Sequence, residues 1–282
     1  MKTLLVPVDF TAASENAVNF AAEWSRKYLY ERIILLRSLY TSMYEGVIMS
    51  GEFSNVDQDF LNHSRMQERE QLNELCKRLD KKTGPGITVQ TALTELPLVR
   101  SVIEVIREEQ PVMVLLGSSR ENSNNESLVA GNVISIAKIS PVRVLIVPGH
   151  YVYEPIKNVL VPCDFNAVES LNKVNTLHAS VQWRDVQLMV LNVDAKHRHL
   201  NPDEKFKAAE AGLHGYLKNF QHQIYYVEDK NVINGILGFT RSNKVELLFA
   251  LPGKYSFLYT LTHKSISEAL YRNTKIPVMI LK

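Results

Sequence analysis

Residues 2–10 read Lys2-Thr3-Leu4-Leu5-Val6-Pro7-Val8-Asp9-Phe10, and residues 157–165 read Lys157-Asn158-Val159-Leu160-Val161-Pro162-Cys163-Asp164-Phe165. Six of these nine positions are identical, and Leu4/Val159 exchanges one apolar side chain for another. Each stretch is a short apolar run, as a buried strand requires, closed by Pro-x-Asp-Phe. A helix start follows each, with Thr11 or Asn166 offering an N-cap oxygen to the orphan N–H groups of the first turn. A repeat in register predicts one architecture built twice.

The order downstream also recurs. Apolar runs at 32–39 and 186–193 predict the second strands, and 87–93 and 222–228 the third. Between them lie a long polar-rich helical pattern at 57–82, carrying Phe60, Leu61, Leu72, Leu75 and Leu79, and a shorter one at 202–220. Helices are predicted at 97–109 and 230–242, fourth strands at 112–116 and 245–249, each followed by a loop and helix, and last strands at 144–147 and 277–281. Each half is therefore β-α-β-α-β-α-β-α-β. Alternation with buried apolar strands argues parallel sheets covered by helices on both faces, and right-handed crossovers make them doubly wound. Gly149 and Pro155 punctuate the junction, giving domains at 1–149 and 150–282.

The chain has 282 residues, 45% hydrophobic and 22% charged, which fits two globular domains and excludes a disordered or collagen-like protein. Lys and Arg total 32 against 30 Asp and Glu, a net charge of +2, so nothing advertises duplex nucleic acid or an anionic membrane as partner. Two cysteines, Cys76 and Cys163, form no zinc or disulfide spacing. The N-terminal apolar run is too short for a signal peptide, and no stretch reaches the length of a membrane span, so the expected compartment is the cytoplasm.

With its duplicated VPxDF strand end, its five-strand alternation and the Val114-Leu115-Leu116-Gly117-Ser118-Ser119-Arg120 segment, the sequence resembles a tandem universal stress protein over its whole length. The resemblance implies two consecutive doubly wound five-stranded sheets, each in the order 3-2-1-4-5, the fold of the adenine nucleotide alpha hydrolases. It also implies pairing of the domains along their fifth strands. Many members of that family bind ATP through a loop patterned G-x2-G-x9-G-(S/T) after strand four. Glycines there let backbone N–H groups approach phosphates at a helix N-terminus, while the Asp closing strand one meets the nucleoside.

Carried over residue by residue, the first-half pocket comprises Pro7, Asp9, Ser38, Leu116, Gly117, Arg120, Gly131 and Asn132. It departs from the pattern at Arg120, where the second glycine belongs. Strict counting puts Ala130-Gly131 at the closing pair, and one inserted residue puts Gly131-Asn132 there. The intervening loop carries Glu121 and Glu126, which repel a triphosphate. The second half keeps Asp164, Val193 and Gly253, has Ala250 for the first glycine, and ends on His263-Lys264 or Lys264-Ser265, with Tyr255, Phe257 and Tyr259 between. Neither half keeps the whole motif. Weak or absent ATP binding is expected, with any bound anion near Asp9, Gly117 and Gly131.

Each of these residues also has a plain structural role. Asp9 and Asp164 can cap the turn into a helix. Arg120 can be a solvated loop residue, and the helix at 57–82 a solvated amphipathic one. His197 and His199 fit a surface loop better than a metal pair, since two ligands at i, i+2 need more. Gly117-Ser118-Ser119 lacks a nucleophile elbow, and Cys163 lacks the basic neighbour of a reactive thiol. No catalytic or metal-binding residue is assigned. The reading is a regulatory or protective stress protein, not a dedicated enzyme, whose halves pair within the chain and which has room for a homodimer. No cofactor is assigned outright, ATP or another adenine nucleotide being the ligand the resemblance admits, and the protein partner is unknown. The rival is an ATP- or AMP-binding switch using the first-half pocket, with at most slow hydrolysis.

Overall fold

A computed structural model of the chain describes residues 1–40, 58–119, 127–178, 180–251 and 274–282, with side chains at 58–61 left aside. The chain divides into two compact units, Met1–Val142 and Arg143–Lys282. No helix of the described residues is long and apolar enough to cross a membrane.

The first unit runs β1 (Thr3–Pro7), α1 (Ala12–Lys27), β2 (Arg32–Ser38), α2 (Gln58–Thr83), β3 (Thr88–Thr94), α3 (Leu98–Glu109), β4 (Met113–Ser118) and α4 (Leu128–Ile139). Its strands are parallel in the order β3-β2-β1-β4. The apolar sequences of the central strands β1 and β4 are explained by burial on both faces: Leu4, Leu5, Val6, Val114, Leu115 and Leu116 are all sealed from solvent. Helix α1 begins where expected. Thr11 is its N-cap, the hydroxyl accepting from Ser14 N, and Ala13, Ala17, Phe20, Ala21 and Trp24 form its buried face. Trp24 stacks between Phe20 and Tyr28, with ring centroids 5.7 and 4.1 Å apart. On α2 the spacing of Leu72, Leu75 and Leu79 buries one stripe of an otherwise polar helix. Arg37, at the end of β2, grips Glu68 of α2 with two bonds of 2.6 and 2.8 Å.

The second unit runs β5 (Arg143–Pro148), β6 (Asn158–Pro162), β7 (Gln187–Val193), β8 (Gln221–Val227), β9 (Leu247–Ala250) and β10 (Val278–Ile280). A turn of α-helix, α5 (Asn172–Asn175), follows β6; α6 (Glu204–Tyr216) precedes β8, and α7 (Val232–Ser242) precedes β9. The strand order is β5-β10-β9-β6-β7-β8, parallel from β10 to β8. Read from β8, that is the 3-2-1-4-5 order expected of the second repeat. Strand β5 completes the first repeat in sequence but lies in this unit, paired antiparallel to β10 through Val144↔Ile280, Leu145↔Met279 and Ile146↔Val278. The expected boundary at 149/150 follows the sequence repeat, whereas the division after Val142 follows this ladder.

One expected element differs. Asn166 does not cap a long helix. The segment breaks into a 3₁₀ turn at Val168–Leu171, the single turn α5 and a second 3₁₀ turn at Val181–Trp183. The cause is competition from side chains. Asn166 turns its amide back to Asp164, and Asn175 donates to Tyr216 O at 3.0 Å, so both serve partners outside a helix. The fourth helix expected of the second repeat lies outside the described residues.

The segment between β5 and β6 is pinned by a buried acid. Glu246, 3% exposed, accepts from Lys157 N at 3.2 Å and from Asn158 N at 2.7 Å through one oxygen. Glu246→Ala strands both donors. Urea unfolding should show a loss of about 2 kcal/mol, and Glu246→Gln, which keeps an acceptor, should lose clearly less. Equal losses in the two variants would refute the anchoring role.

Candidate functional site

At the C-terminal edge of the first sheet, β1 delivers Asp9 into a set of donors. Its Oδ1 accepts from Thr11 Oγ1 at 2.6 Å and from Thr11 N at 3.2 Å. Its Oδ2 accepts from Ser127 Oγ at 2.6 Å and from Val129 N at 2.9 Å. Asp9 therefore ties the start of α1 to the start of α4. Burial alone would raise its pKa. The bonds from Ser127, Thr11, Val129 and Ser14 outweigh burial and hold the carboxyl below its ordinary value.

Ser127 was not among the residues singled out from the sequence. It is the N-cap of α4, its hydroxyl accepting from Ala130 N at 3.0 Å while donating to Asp9. The first turn of α4 is thus filled by the protein's own groups. Gly131 and Asn132 lie inside this helix instead of closing a phosphate loop. Gly131 N donates to Ser127 O at 3.0 Å, and the Asn132 amide donates to Leu128 O at 2.9 Å. This departs from the expectation that the pair faces an anion. An earlier signal was present in the sequence, since Ser127 precedes an apolar run as N-caps do.

Other first-half positions serve packing. Pro7 and Leu116 are buried in their strands. Ser38 donates to Leu96 O at 2.7 Å, holding the end of β2 to the loop before α3. Gly117 is required by α1: a Cβ there would stand 2.3 Å from Ala13 O, which no side chain tolerates. A Cβ on Gly131 meets nothing within 4 Å. Arg120, Gly253 and Ser265 lie outside the described residues.

The second unit carries a cavity of about 280 Å³ at the ends of β6 and β7, walled on one side by Val232 and Ile236 of α7. Asp164, Asn192 and Val193 line it, with Lys196 and Arg198 from the loop after β7. Asp164 is less committed than Asp9: one oxygen accepts from Asn166 N at 2.9 Å and from Asn166 Nδ2 at 2.8 Å. Asn192 is buried and donates to Cys163 O at 3.0 Å. Burial, aided by the charges of Asp164 and Glu169, pushes the Cys163 thiol up to about 12, in keeping with a structural residue.

The loop bearing Lys196 and Arg198 is wound around Asp194, which is fully buried. Its carboxylate accepts from Lys196 N at 3.2 Å, Arg198 Nε at 3.4 Å, His199 N at 2.8 Å and His199 Nδ1 at 2.9 Å. Burial opposes the charge, but these bonds prevail and bring the pKa to about 2. His199 stacks on Tyr226 with centroids 5.0 Å apart, and His197 pairs with Glu228 at 2.9 Å. His199 is thus a fixed part of the loop's frame, while His197 is exposed on the same loop. Among the described residues, no group of three or more His, Cys, Asp or Glu side chains is placed to hold a metal ion.

A doubly wound α/β fold with an acid closing its first strand defines a class whose ligands, when present, lie beyond the strand C-termini. Within that class the chain belongs to the universal stress protein family, whose sequence profile matches residues 1–148. No curated protein matches the sequence. Among solved structures, a universal stress protein from Archaeoglobus fulgidus is 16% identical and superposes with a TM-score of 0.68, over 99% of this chain and 98% of its own. A functionally unknown protein from Pseudomonas aeruginosa is 13% identical with a TM-score of 0.56, over 100% and 92%. A putative universal stress protein from Pseudomonas aeruginosa is 12% identical with a TM-score of 0.55, over 100% and 93%. At these identities the likeness concerns the fold.

Two predictions follow from this geometry. Asp9 has a folded pKa below its unfolded value of about 3.9, so its contribution is complete above that value and is lost as pH falls through the folded pKa. Asp9→Asn should cost about 2 kcal/mol at pH 7, and the gap to the parent protein should close as urea midpoints are followed from pH 5 toward pH 2. A gap independent of pH would contradict the assignment. Gly117→Ala should cost about 2–3 kcal/mol by overpacking, whereas Gly131→Ala should be neutral or stabilise by up to about 1 kcal/mol. Thermal or urea unfolding of the pair checks both signs.

Proposed function

We propose that this chain is a tandem universal stress protein, with a second family domain in its C-terminal half, that acts in the cytoplasm by binding and not by catalysis. The observation that carries the reading is the commitment of both Asp9 oxygens to Thr11, Ser127 and Val129. A carboxylate so engaged has little to give a nucleoside, and it brings negative charge to the helix start that a phosphate would need. The β5–β10 ladder supports pairing of the two repeats within one chain, because it joins the last strand of each. The protein is then a paired α/β scaffold whose partners or state change under stress.

A second reading is a switch that binds an adenine nucleotide. The cavity beside Asp164 and Val193 favours it, being large enough for the base and sugar and lined by two cationic side chains. One experiment separates the readings. The purified protein is denatured and the released small molecules are analysed by mass spectrometry, and the apo protein is titrated calorimetrically with ATP and AMP. The scaffold reading expects no stoichiometric nucleotide and no saturable heat. Tight ATP binding overturns it, and loss of that binding in Asp164→Ala but not in Asp9→Ala would place the switch in the second unit.

A further inference from the structure

His214 stands on α6 and His222 on β8, and their rings converge. His214 Nδ1 lies 2.8 Å from His222 Nε2, with ring centroids 5.0 Å apart and planes at 40°. The other ring nitrogen of His222, Nδ1, lies 2.9 Å from the carbonyl oxygen of Phe220. A carbonyl only accepts, so Nδ1 holds the ring hydrogen and Nε2 presents a lone pair. In the neutral pair the hydrogen between the rings therefore belongs to His214 Nδ1. The contrast with His197 and His199 is plain, since each of those turns its Nδ1 to a carboxylate.

We propose that His214 and His222 form a surface chelate for a divalent late transition-metal ion, copper(II) before nickel(II) and zinc(II). Three observations lead there. Two imidazole nitrogens already meet between a helix and a strand, and a small rotation of the exposed His214 ring turns both lone pairs toward one ion. Their separation suits a square-planar metal: ligands about 2.0 Å from the ion and about 90° apart stand about 2.8 Å from each other, against about 3.3 Å in a tetrahedron. The Phe220 carbonyl also supplies the outer contact that fixes the tautomer and orientation of a metal-bound imidazole. Copper(II) heads the affinity order for such nitrogen ligands.

Binding exchanges two waters of the aqua ion for His222 Nε2 and His214 Nδ1. The hydrogen leaving His214 Nδ1 is replaced at Nε2 through solvent, so the neutral pair releases no net proton. His214 is exposed, and water completes the coordination. This inference stands apart from the nucleotide question, because neither ring lines the cavity near Asp164.

The test uses the full chain without a histidine tag, titrated with copper(II) in a non-coordinating buffer and followed by calorimetry and electron paramagnetic resonance. One equivalent should bind most tightly, with a tetragonal spectrum showing two imidazole nitrogens. His214→Ala and His222→Ala should each weaken that binding at least tenfold, while His63→Ala, on α2, stays within twofold. His222 is partly buried, so its variant is read beside an unchanged circular dichroism spectrum, and the exposed His214→Ala decides if His222→Ala unfolds. Binding by His214→Ala within twofold of the parent, or a spectrum with one nitrogen or none at the tightest site, overturns the proposal.

Discussion

One carboxylate holds together the end of β1 and the starts of two helices. Asp9 leaves the sheet just after Pro7, and its two oxygens reach α1 through Thr11 and α4 through Ser127 and Val129. Both helix starts carry partial positive charge, so a single anion stabilises both and ties them to the strand. Gly117 extends the same constraint to β4: α1 lies so close to that strand that Ala13 O occupies the space of a side chain. Among the described residues, the Asp9 carboxylate and the N–H groups of Val129, Ala130 and Gly131 at the start of α4 are satisfied internally.

The second unit distributes the same parts differently. Asp164 binds the turn just after it, and no long helix grows from that turn. A fully buried acid, Asp194, stands one strand over and organises a loop instead of joining two helices. Gly235 lets α7 approach β7, since a Cβ there would stand 2.9 Å from Val193. An open cavity remains between the loop and α7. Two repeats with one strand order therefore differ in what their strand-end acid holds, two helix starts at Asp9 and a local turn at Asp164.

The strands were legible in the sequence because burial on both faces makes them nearly continuous apolar runs, and α1 because Thr11 and its apolar spacing agree. The break after Asn166 was not legible. An Asn is as good a cap as a turn residue, and only the position of Asp164 and Tyr216 in space decides between them. Pro7, Asp9 and Gly117 stand at or near strand ends that the sequence pattern marks, but what they touch is not encoded locally. Ser127 and Asp9 are far apart in the chain, and Gly131 counted as a loop residue until the helix start was placed at Ser127. The convergence of His214 and His222 was equally hidden, since a helix and a strand must both be placed before the rings meet.

The place of β5 has a consequence for synthesis. Its antiparallel partner, β10, lies more than a hundred residues further along the chain, so at ordinary translation rates β5 leaves the ribosome on the order of ten seconds before β10 exists. Throughout that interval Val144, Leu145, Ile146 and Val147 await the ladder that buries one of their edges. Closing the ladder is a long-range step, governed by loop-closure entropy and slower than helix or local strand formation. Nascent chains held at that stage carry an unpaired apolar strand, the kind of surface that chaperones bind and that other nascent chains of the same sequence can match.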